Sequence, residues 1–301
     1  MNYNLKTCII TLNKNINDFN LLSLNPKIIN GIDGKKIDKI KDSNSINLSY
    51  FNYKYLPKSV IGCALSHIKC WKSHILNNNN YTIILEDDFF ISNKENNDIK
   101  LLKELGISLM DIIKIFIYNT PKDFDILYLG YISGPFIKKY FNAIGSLSNY
   151  KKINDFIAKP DIALGLHSYI ISDSGVVKLL NNIQNNKINF HIDVYIQSLA
   201  SKNIINTYIT TPRLFYQTST YMSNSSLSSS FKCPLFKNIF IDEYVSLNYV
   251  TNVSLFSIMD YDFSIWIIFI IIISFIILKK IIIPIIPIQP IKYVSRANKV
   301  N

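Results

Sequence analysis

The sequence predicts an α/β protein with a mostly parallel central β-sheet, and two observations favour this fold class. Short segments rich in β-branched residues alternate with segments in which apolar residues recur at helical spacing, which is typical of β-α-β units. In addition, Ile83, Ile84 and Leu85 lack the polar alternation of a half-exposed strand. Residues 81–91 therefore belong in the interior of a sheet that is covered on both faces.

The other elements follow from the same periodicities. Besides the strand that ends at the acidic residues, the predicted strands are residues 6–12, 125–130, 163–172 and 206–216. The predicted helices are residues 60–76, residues 99–118 and a third helix through residues 176–180, for which residues 172–174 supply the expected cap.

Composition and charge narrow the function classes. A chain of 301 residues with 49% apolar residues can bury a sizeable core. Its formal charge is +11, but all basic residues except Arg213 and Arg296 are scattered lysines, so no nucleic acid is expected as a partner. An anionic sugar nucleotide or a membrane surface is favoured instead. The four cysteines are too few and too dispersed for a disulfide framework, which favours a reducing compartment.

Three consecutive carboxylates, Glu86, Asp87 and Asp88, directly follow the apolar strand. In such a sheet, ligands bind at the carboxyl ends of the strands. Adjacent negative charges repel one another, and a hard cation offsets that repulsion. Mg²⁺ and Mn²⁺ prefer oxygen ligands, and Mg²⁺ in particular is held by one or two carboxylates together with substrate phosphates. The motif therefore indicates a diphosphate-bearing substrate, although these three residues alone also fit an acidic loop.

Cys63, His67, Cys70 and His74 follow one side of the predicted helix at spacings of four, three and four residues. This pattern suggests zinc, but Cys63 and His74 would be about 16 Å apart along a straight helix. All four side chains therefore cannot reach one ion, and only a pair can do so with a ligand from elsewhere. Small buried cysteines and hydrogen-bonded histidines are the favoured interpretation.

Several motifs, taken in order, resemble glycosyltransferase family 25, the family of lipooligosaccharide and collagen galactosyltransferases. The matching stretches are residues 61–72 (IGCALSHIKCWK), 84–88 (ILEDD), 125–130 (DILYLG), 165–172 (GLHSYIIS) and 191–193 (HID). Residues 31–34 and 212–217 agree more loosely. The ordered set extends over about residues 5–220 and is more specific than any single motif.

The resemblance implies a GT-A type, Rossmann-like single domain. Such an enzyme transfers a sugar, here expected to be a hexose such as galactose or glucose, from a nucleotide-sugar donor to a glycan, lipid-linked or protein acceptor. The family's divalent-cation motif maps onto residues 86–88, with Asp88 and Glu86 as ligands of Mn²⁺ or Mg²⁺ and with Glu86 or Asp87 supporting the nucleotide ribose. A cation there offsets the charge of the departing nucleoside diphosphate.

The resemblance also implies substrate-binding and catalytic residues. The expected substrate-binding residues are Gly62, Ser66, His67, Glu86, Asp87, Gly165 and His167. Inversion at the anomeric carbon requires a base near the acceptor hydroxyl, for which Asp193 is the first candidate and Asp161 the second. One departure is that the family often carries an arginine pair after the first strand, where this chain has only Lys14. Lysine does not reproduce the bidentate contacts of arginine, which leaves the donor-base contacts open.

Two other function classes stay open. A metal-dependent phosphohydrolase or nuclease can also use residues 86–88, although it should carry a second set of ligands, which the sequence spacing does not reveal. A non-catalytic membrane protein derived from a transferase is the other class, and the intact acidic motif argues against it.

The chain is expected to divide into a transferase domain (residues 1–222), a serine-rich linker and stem (223–262), a membrane anchor (263–291) and a basic tail (292–301). Residues 263–278 are almost wholly apolar and would form a helix of about 24 Å, against a hydrocarbon core of about 30 Å. Snorkelling of Lys279 and Lys280 would close the gap. No secretory signal is visible, so the enzyme domain is expected on the cytosolic side. The basic residues from Lys279 onwards would instead place it in the lumen by the positive-inside rule, and a shallow hairpin bent at Pro284 and Pro287 would keep both ends cytosolic, so these alternatives stay open.

Overall fold

The computed structural model describes most of the stretches that carry the motifs. The described residues are 4–12, 24–38, 47–77, 80–91, 104, 106–132, 150–188, 190–218, 240–242, 245–259 and 261–282. Three predicted features, Lys14, the serine-rich segment near residue 223 and the basic tail, lie outside these residues.

The strands form one large sheet and three small ones. In chain order they are β1 (Leu5–Thr11), β2 (Lys27–Asn30), β3 (Tyr81–Glu86), β4 (Phe89–Phe90), β5 (Ile126–Tyr128), β6 (Tyr150–Lys152), β7 (Ile157–Pro160), β8 (Ser168–Ser172), β9 (Thr207–Thr210), β10 (Tyr216–Gln217), β11 (Phe240–Asp242), β12 (Val245–Ser246), β13 (Ser254–Ile258) and β14 (Tyr261–Ser264). The large sheet has eight strands in the order β2-β1-β3-β8-β5-β9-β7-β6, and the remaining strands pair as β4 with β10, β11 with β12 and β13 with β14.

The helices begin at polar caps where the sequence offers them. They are α1 (Tyr50–Tyr55), α2 (Lys58–Leu76), α3 (Leu109–Asn119), α4 (Asp173–Asn185), α5 (Ile192–Ser201), α6 (Leu247–Asn252) and α7 (Ile265–Ile282), and a short 3₁₀ helix covers Gly34–Lys36. The hydroxyls of Ser49, Ser108 and Ser172 accept hydrogen bonds from backbone N–H groups in the first turns of α1, α3 and α4. Each cap satisfies a donor that the helix itself leaves unpaired.

Helices cover the large sheet on both faces, as the unbroken apolar strand predicts. Ile84 faces a buried cluster that includes residues of α2, α4 and α5. Its neighbours Ile83 and Leu85 face the opposite cluster, which includes Ile112 and Phe116 of α3. Successive side chains of a strand point to opposite faces, so three consecutive buried apolar residues require a core on each side.

The strand directions confirm an α/β fold and show that its sheet is mixed. β3 runs parallel to β1, and β5 runs parallel to β9. Strand β8 lies between β3 and β5 and is antiparallel to both, while β7 is antiparallel to β6 and β9. An apolar pattern encodes burial but not strand direction, which is why the sequence alone predicted a mostly parallel sheet.

Several predicted boundaries shift in the structure. Strand β8 begins at Ser168 rather than at residue 163, because the preceding residues form an irregular segment that contains Gly165 at a φ of 84°. The predicted strand 206–216 is divided into β9 and β10, which belong to different sheets. Within the predicted helix 99–118, α3 begins at Leu109 and Gly106 lies before it at a φ of 75°, while residues 99–103 and 105 lie outside the described residues. The predicted division into domains stays a prediction.

The predicted C-terminal membrane helix is not supported. Among the helices in the described part of the chain, none is long and apolar enough to cross a membrane. Helix α7 has 18 residues and starts only at Ile265, because residues 263 and 264 belong to β14. Its apolar part before Lys279 spans about 21 Å, well short of a hydrocarbon core of about 30 Å. The predicted cytosolic location of the enzyme domain stays a prediction.

Gly62 in α2 provides a test of this packing. A Cβ atom added there would lie 2.5 Å from the carbonyl oxygen of Ile32 and 3.1 Å from the backbone nitrogen of Gly34. We expect Gly62→Ala to lower the free energy of unfolding by about 1–3 kcal/mol, because this overpacking outweighs the gain in helix propensity of about 1 kcal/mol. Urea denaturation measures the change.

The matched control is Lys72→Ala, at an exposed position of the same helix. It is expected to change stability by no more than about 0.5 kcal/mol. A Gly62→Ala protein as stable as the unchanged chain would show that α2 does not pack closely on the loop at Ile32.

Candidate active site

The sequence motifs meet at one edge of the large sheet. Strands β1 and β3 are parallel and end there, at Thr11 and Glu86. Because β8 is antiparallel to β3, it starts at the same edge, with Ser168 opposite Leu85. The backbone N–H of Glu86 donates a hydrogen bond to the carbonyl of His167 at 2.9 Å. The acidic motif and the motif that contains His167 are therefore direct neighbours.

Of the three consecutive carboxylates, the middle one faces Thr11 and the outer two face Gln217. Asp87 is exposed, and its Oδ2 accepts a hydrogen bond of 2.6 Å from the Thr11 hydroxyl. Glu86 and Asp88 are partly buried and both face Gln217 of β10. Asp87 therefore has a partner of its own, and the Gln217 amide offsets part of the repulsion between Glu86 and Asp88.

The Gln217 side-chain amide joins two of the carboxylates. Its Nε2 lies 3.3 Å from Glu86 Oε2 and 3.4 Å from Asp88 Oδ1. The antiparallel pairing of β10 with β4 places Gln217 opposite Phe89, and Thr218 N donates to the carbonyl of Asp88 at 2.7 Å. An amide that donates to two carboxylates occupies a position of negative potential. These side chains also fit a hard cation. If the Gln217 amide rotated by half a turn, its oxygen would face the same position as the two carboxylate oxygens, which gives three oxygen ligands.

Glu86 is ionised despite its position at the core. Burial raises the pKa of Glu86, but the hydrogen bond and charge of His67, together with the charge of His167, outweigh burial, so the pKa is lowered. His67 Nε2 lies 3.0 Å from Glu86 Oε1. The other ring nitrogen of His67 lies 3.0 Å from the Tyr169 hydroxyl, to which Trp71 Nε1 donates at 2.9 Å. These contacts fix the ring of His67.

Besides His67, one more member of the predicted set of two cysteines and two histidines on α2 reaches Glu86. Cys63 Sγ lies 4.0 Å from Glu86 Oε1, and the ligand atoms of Cys63, His67 and Glu86 all lie within 4.8 Å of one another. The other two face elsewhere, as the sequence argument against a four-residue zinc site predicted. Cys70 contacts Cys8 of β1, and His74 Nδ1 lies 2.8 Å from the Thr82 hydroxyl.

Asp193, the first candidate base, is electrostatically close to this edge. Burial raises the pKa of the Cys63 thiol, and the negative charges of Glu86, Asp193 and Asp88 raise it further. We call Glu86, Asp88 and Asp193 the carboxylate site. Asp193 lies in the first turn of α5, where its Oδ2 accepts a hydrogen bond of 3.1 Å from Gly165 N.

The second candidate base lies elsewhere. The side chain of Asp161 is exposed, and its backbone carbonyl accepts a hydrogen bond of 2.9 Å from Gln197 of α5.

Ser66 and Gly62 connect α2 to a neighbouring loop. The Ser66 hydroxyl donates to the Gly62 carbonyl at 2.7 Å and accepts from Ile32 N at 2.8 Å. Both donor and acceptor functions of this buried hydroxyl are therefore used within the protein. The predicted roles of Ser66 and Gly62 in substrate binding stay predictions.

His167 is buried next to two glycines. It is 1% exposed, and among the described residues neither ring nitrogen has a hydrogen-bond partner at ordinary geometry, although the backbone of Phe215 lies close enough to favour the charged imidazole. Cβ atoms added at Gly130 and Gly165 would lie 2.3 Å and 3.2 Å from its ring nitrogens. These glycines therefore make room for the imidazole. A buried imidazole with so few hydrogen bonds is a costly feature, which is consistent with a polar ligand beside it.

Sequence reasoning missed three residues of this region. Gln217 lies in the loosely matching motif at 212–217, and Tyr169 lies in an apolar strand, so neither was singled out. Tyr249 of α6 is the third. Burial raises the pKa of Tyr249, and the nearby negative charges of Asp193, Asp88, Glu86 and Cys63 raise it further. This effect indicates that α6 lies near the carboxylate site. No periodicity or spacing in the sequence indicates such a long-range contact.

Comparisons with known proteins match this geometry to a family. Residues 4–196 match the model of glycosyltransferase family 25, described as an LPS biosynthesis protein, and this match confirms the resemblance carried by the motifs. No curated protein matches the sequence. Among solved structures, the crystal structure of A197 from STIV is 12% identical, with a TM-score of 0.30 over 70% of this chain and 93% of that chain. A TM-score of this size supports no conclusion about fold or function.

The pKa of His167 predicts a dependence of stability on pH. Burial lowers this pKa to about 4, although the charge of Glu86 opposes the shift. An unfolded histidine has a pKa of about 6.5, so between these values the unfolded chain binds more protons than the folded one. The free energy of unfolding should therefore fall as the pH drops from about 6.5 towards 4.

Urea denaturation at a series of pH values tests this expectation. His167→Gln should make the slope shallower by up to about 1.4 kcal/mol per pH unit. His74→Gln is the matched comparison, because burial also lowers the pKa of His74 and its effect has the same sign. The lowered pKa of Glu86 acts only at pH values below about 4.5, outside the upper part of this window. An unchanged slope in His167→Gln would mean that His167 can be protonated freely in the folded state.

Proposed function

We propose that this chain, which belongs to glycosyltransferase family 25, transfers a sugar from a nucleotide-sugar donor to an acceptor hydroxyl at the carboxylate site. The observation that carries the proposal is the convergence of Glu86 and Asp88 on one Gln217 nitrogen at the carboxyl end of β3. In sheets of this kind, that edge is where nucleotide ligands bind. The family and the mixed α/β sheet are compatible with a GT-A type domain.

A divalent cation, Mn²⁺ or Mg²⁺, belongs to this proposal. Asp88 and Glu86 would hold it, with Gln217 as a third oxygen ligand after its amide turns. When bound, the ion would offset negative charge on the diphosphate of the donor. Asp87, held by Thr11, is then available to a nucleotide hydroxyl.

Asp193 is the proposed base. Its carboxylate would accept the proton of the acceptor hydroxyl as the hydroxyl oxygen forms a bond to the anomeric carbon. The bond from that carbon to the nucleoside diphosphate breaks at the same time, which inverts the configuration. The hydrogen bond from Gly165 N leaves the second lone pair of Asp193 Oδ2 for the proton. Asp161 is less well placed, because its side chain is exposed.

The acceptor is proposed as a class. The description of the family names LPS biosynthesis, which favours a glycan or a lipid-linked glycan over a protein, and the sugar is proposed to be a hexose. A panel of nucleotide sugars, offered with and without hydroxyl acceptors, tests the function directly. Release of phosphate without sugar transfer would instead support a phosphohydrolase.

Substitution of Asp88 tests the metal site. Asp88→Asn removes one negative charge with little change in shape, so we expect donor affinity in the presence of Mn²⁺ to fall by about tenfold or more and turnover to fall by about a hundredfold. Calorimetric titration of the donor with and without Mn²⁺ measures the first effect. Asp155→Asn, in the exposed turn between β6 and β7, is the control. Normal turnover and metal dependence in Asp88→Asn would refute the assignment.

Substitution of Asp193 tests the base. Loss of a general base typically lowers the rate about 10²–10⁴-fold, so Asp193→Asn should lower kcat by that factor while donor affinity changes little. Asp173→Asn is a matched control, because Asp173 also lies in the first turn of a helix and is largely exposed. If Asp161→Asn rather than Asp193→Asn shows the loss, the two candidate bases exchange roles.

A further inference from the structure

We propose that Cys63, His67 and Glu86 form a second cation site, with a preference for a thiophilic divalent ion such as Zn²⁺. This site differs in chemistry from the oxygen-ligated cation of the proposed transferase reaction. It shares Glu86 with that cation but is argued from the positions of Cys63, His67 and Glu86 alone, so it does not depend on whether the chain transfers a sugar.

The local structure brings the three ligand atoms together. Cys63 and His67 are four residues apart on α2, so their side chains lie on one face of the helix. Glu86, at the end of β3, reaches that face from the sheet. Its Oε1 lies 3.0 Å from His67 Nε2 and 4.0 Å from Cys63 Sγ, and all three atoms lie within 4.8 Å of one another.

These separations are close to those of a metal site. Tetrahedral zinc with a sulfur bond of about 2.3 Å and nitrogen or oxygen bonds of about 2.1 Å places neighbouring ligand atoms about 3.4–3.6 Å apart. His67 and Glu86 would move apart by about half an ångström, and Cys63 would move closer to Glu86 by a similar amount. The separation of Cys63 Sγ and the His67 nitrogen, which is within 4.8 Å, would shorten by up to about 1.2 Å. Rotations of side chains provide shifts of this size, so the helix and the strand need not move.

The surroundings of His67 favour this use of its ring. Metal-binding histidines usually have their other nitrogen hydrogen-bonded, which fixes the ring orientation. Here Nδ1 faces the Tyr169 hydroxyl at 3.0 Å, and Trp71 Nε1 holds that hydroxyl at 2.9 Å. His67 is 1% exposed, so Nε2 is aimed at the site by a rigid and buried set of contacts.

The proton balance of binding is defined. Without a metal, His67 Nε2–H donates to Glu86. With a metal bound, the ring proton would reside on Nδ1 and be donated to the Tyr169 oxygen, the Tyr169 O–H would turn away from Nδ1, and the Cys63 thiol would lose its proton to solvent. The thiolate and the carboxylate then neutralise the two charges of the ion, as a partly buried site requires. Sulfur and imidazole ligands favour Zn²⁺ over Mg²⁺ or Mn²⁺.

The proposed site has three protein ligands and therefore an open fourth position for water or a ligand atom. Glu86 belongs to both cation environments, because its Oε1 faces Cys63 and His67 while its Oε2 faces Gln217. Occupation by Zn²⁺ would hold Glu86 in place and is expected to change the affinity for the oxygen-ligated cation.

Cobalt titration tests the proposal on the full-length chain without an affinity tag, after chelation of bound metals. Co²⁺ should bind once per chain and produce the absorption of tetrahedral cobalt with a sulfur-to-cobalt charge-transfer band, and one equivalent of Zn²⁺ should abolish both. Cys63→Ser should lose the charge-transfer band and weaken binding about tenfold or more. Cys70→Ser, on the same helix but facing Cys8, should keep the band. A band that persists in Cys63→Ser, or binding without any band, overturns the proposal.

A measurement on the unchanged chain covers the case in which these variants do not fold. X-ray absorption of the zinc-loaded protein should show one sulfur ligand at about 2.3 Å together with nitrogen or oxygen ligands at about 2.0–2.2 Å. A shell of nitrogen and oxygen alone would overturn the proposal. Neither readout uses transferase activity, so an inactive chain with this zinc shell would refute the proposed function and leave the site intact.

Discussion

The carboxylate of Glu86 is the group on which this end of the molecule depends. A charge at the end of a central strand has to be compensated, because an unpaired carboxylate next to the core is strongly destabilising. His67 supplies that compensation from α2 and Gln217 supplies it from β10, so one side chain connects the sheet, a helix and a distant strand. The contacts of His67 with Tyr169 and of Tyr169 with Trp71 extend the same network into the core. Hydrogen bonds in a continuous network strengthen one another, whereas a buried polar group without a partner is costly.

The antiparallel strand β8 explains how distant motifs come together. If β8 ran parallel to β3, its first residues would lie at the opposite edge of the sheet. Because it runs the other way, Ser168 lies opposite Leu85, and His167 lies beside Glu86. The same reversal places Tyr169 opposite Ile84, two residues before β3 ends at Glu86, where its hydroxyl can meet His67. The direction of one strand thus determines which side chains surround the carboxylate site.

Local patterns in the sequence were sufficient for β3, for α2 and for the position of the acidic motif at a strand end, because burial and helical spacing are local properties. They were not sufficient for the partners of those residues. Asp125 was assigned to a strand, yet it is fully buried and its carboxylate accepts hydrogen bonds from Lys178, Ser174 and the backbone of Asn206. Gln217 was one residue of a weak motif. The contacts of Asp125 and of Gln217 join elements that are far apart in the chain. Loop paths and strand order, rather than periodicity, bring such elements together.

The spacing of Cys63, His67, Cys70 and His74 shows how a local argument can be correct and incomplete. Helix geometry excludes a site with four ligands and permits a pair, and the structure selects the pair that faces the end of β3. The two oxygens of Glu86 then lie in different chemical surroundings. Oε1 faces sulfur and imidazole, which suit a borderline-soft ion, whereas Oε2 faces an amide and the carboxylate of Asp88, which suit a hard one. In the two proposals above, a divalent cation at either position would weaken binding of a cation at the other, because like charges that share one carboxylate repel each other even in a partly screened environment. Repulsion between the proposed ions would oppose simultaneous occupation, and the negative charge of a donor diphosphate would offset that repulsion, so under these proposals the nucleotide would affect how many cations this edge of the sheet can hold.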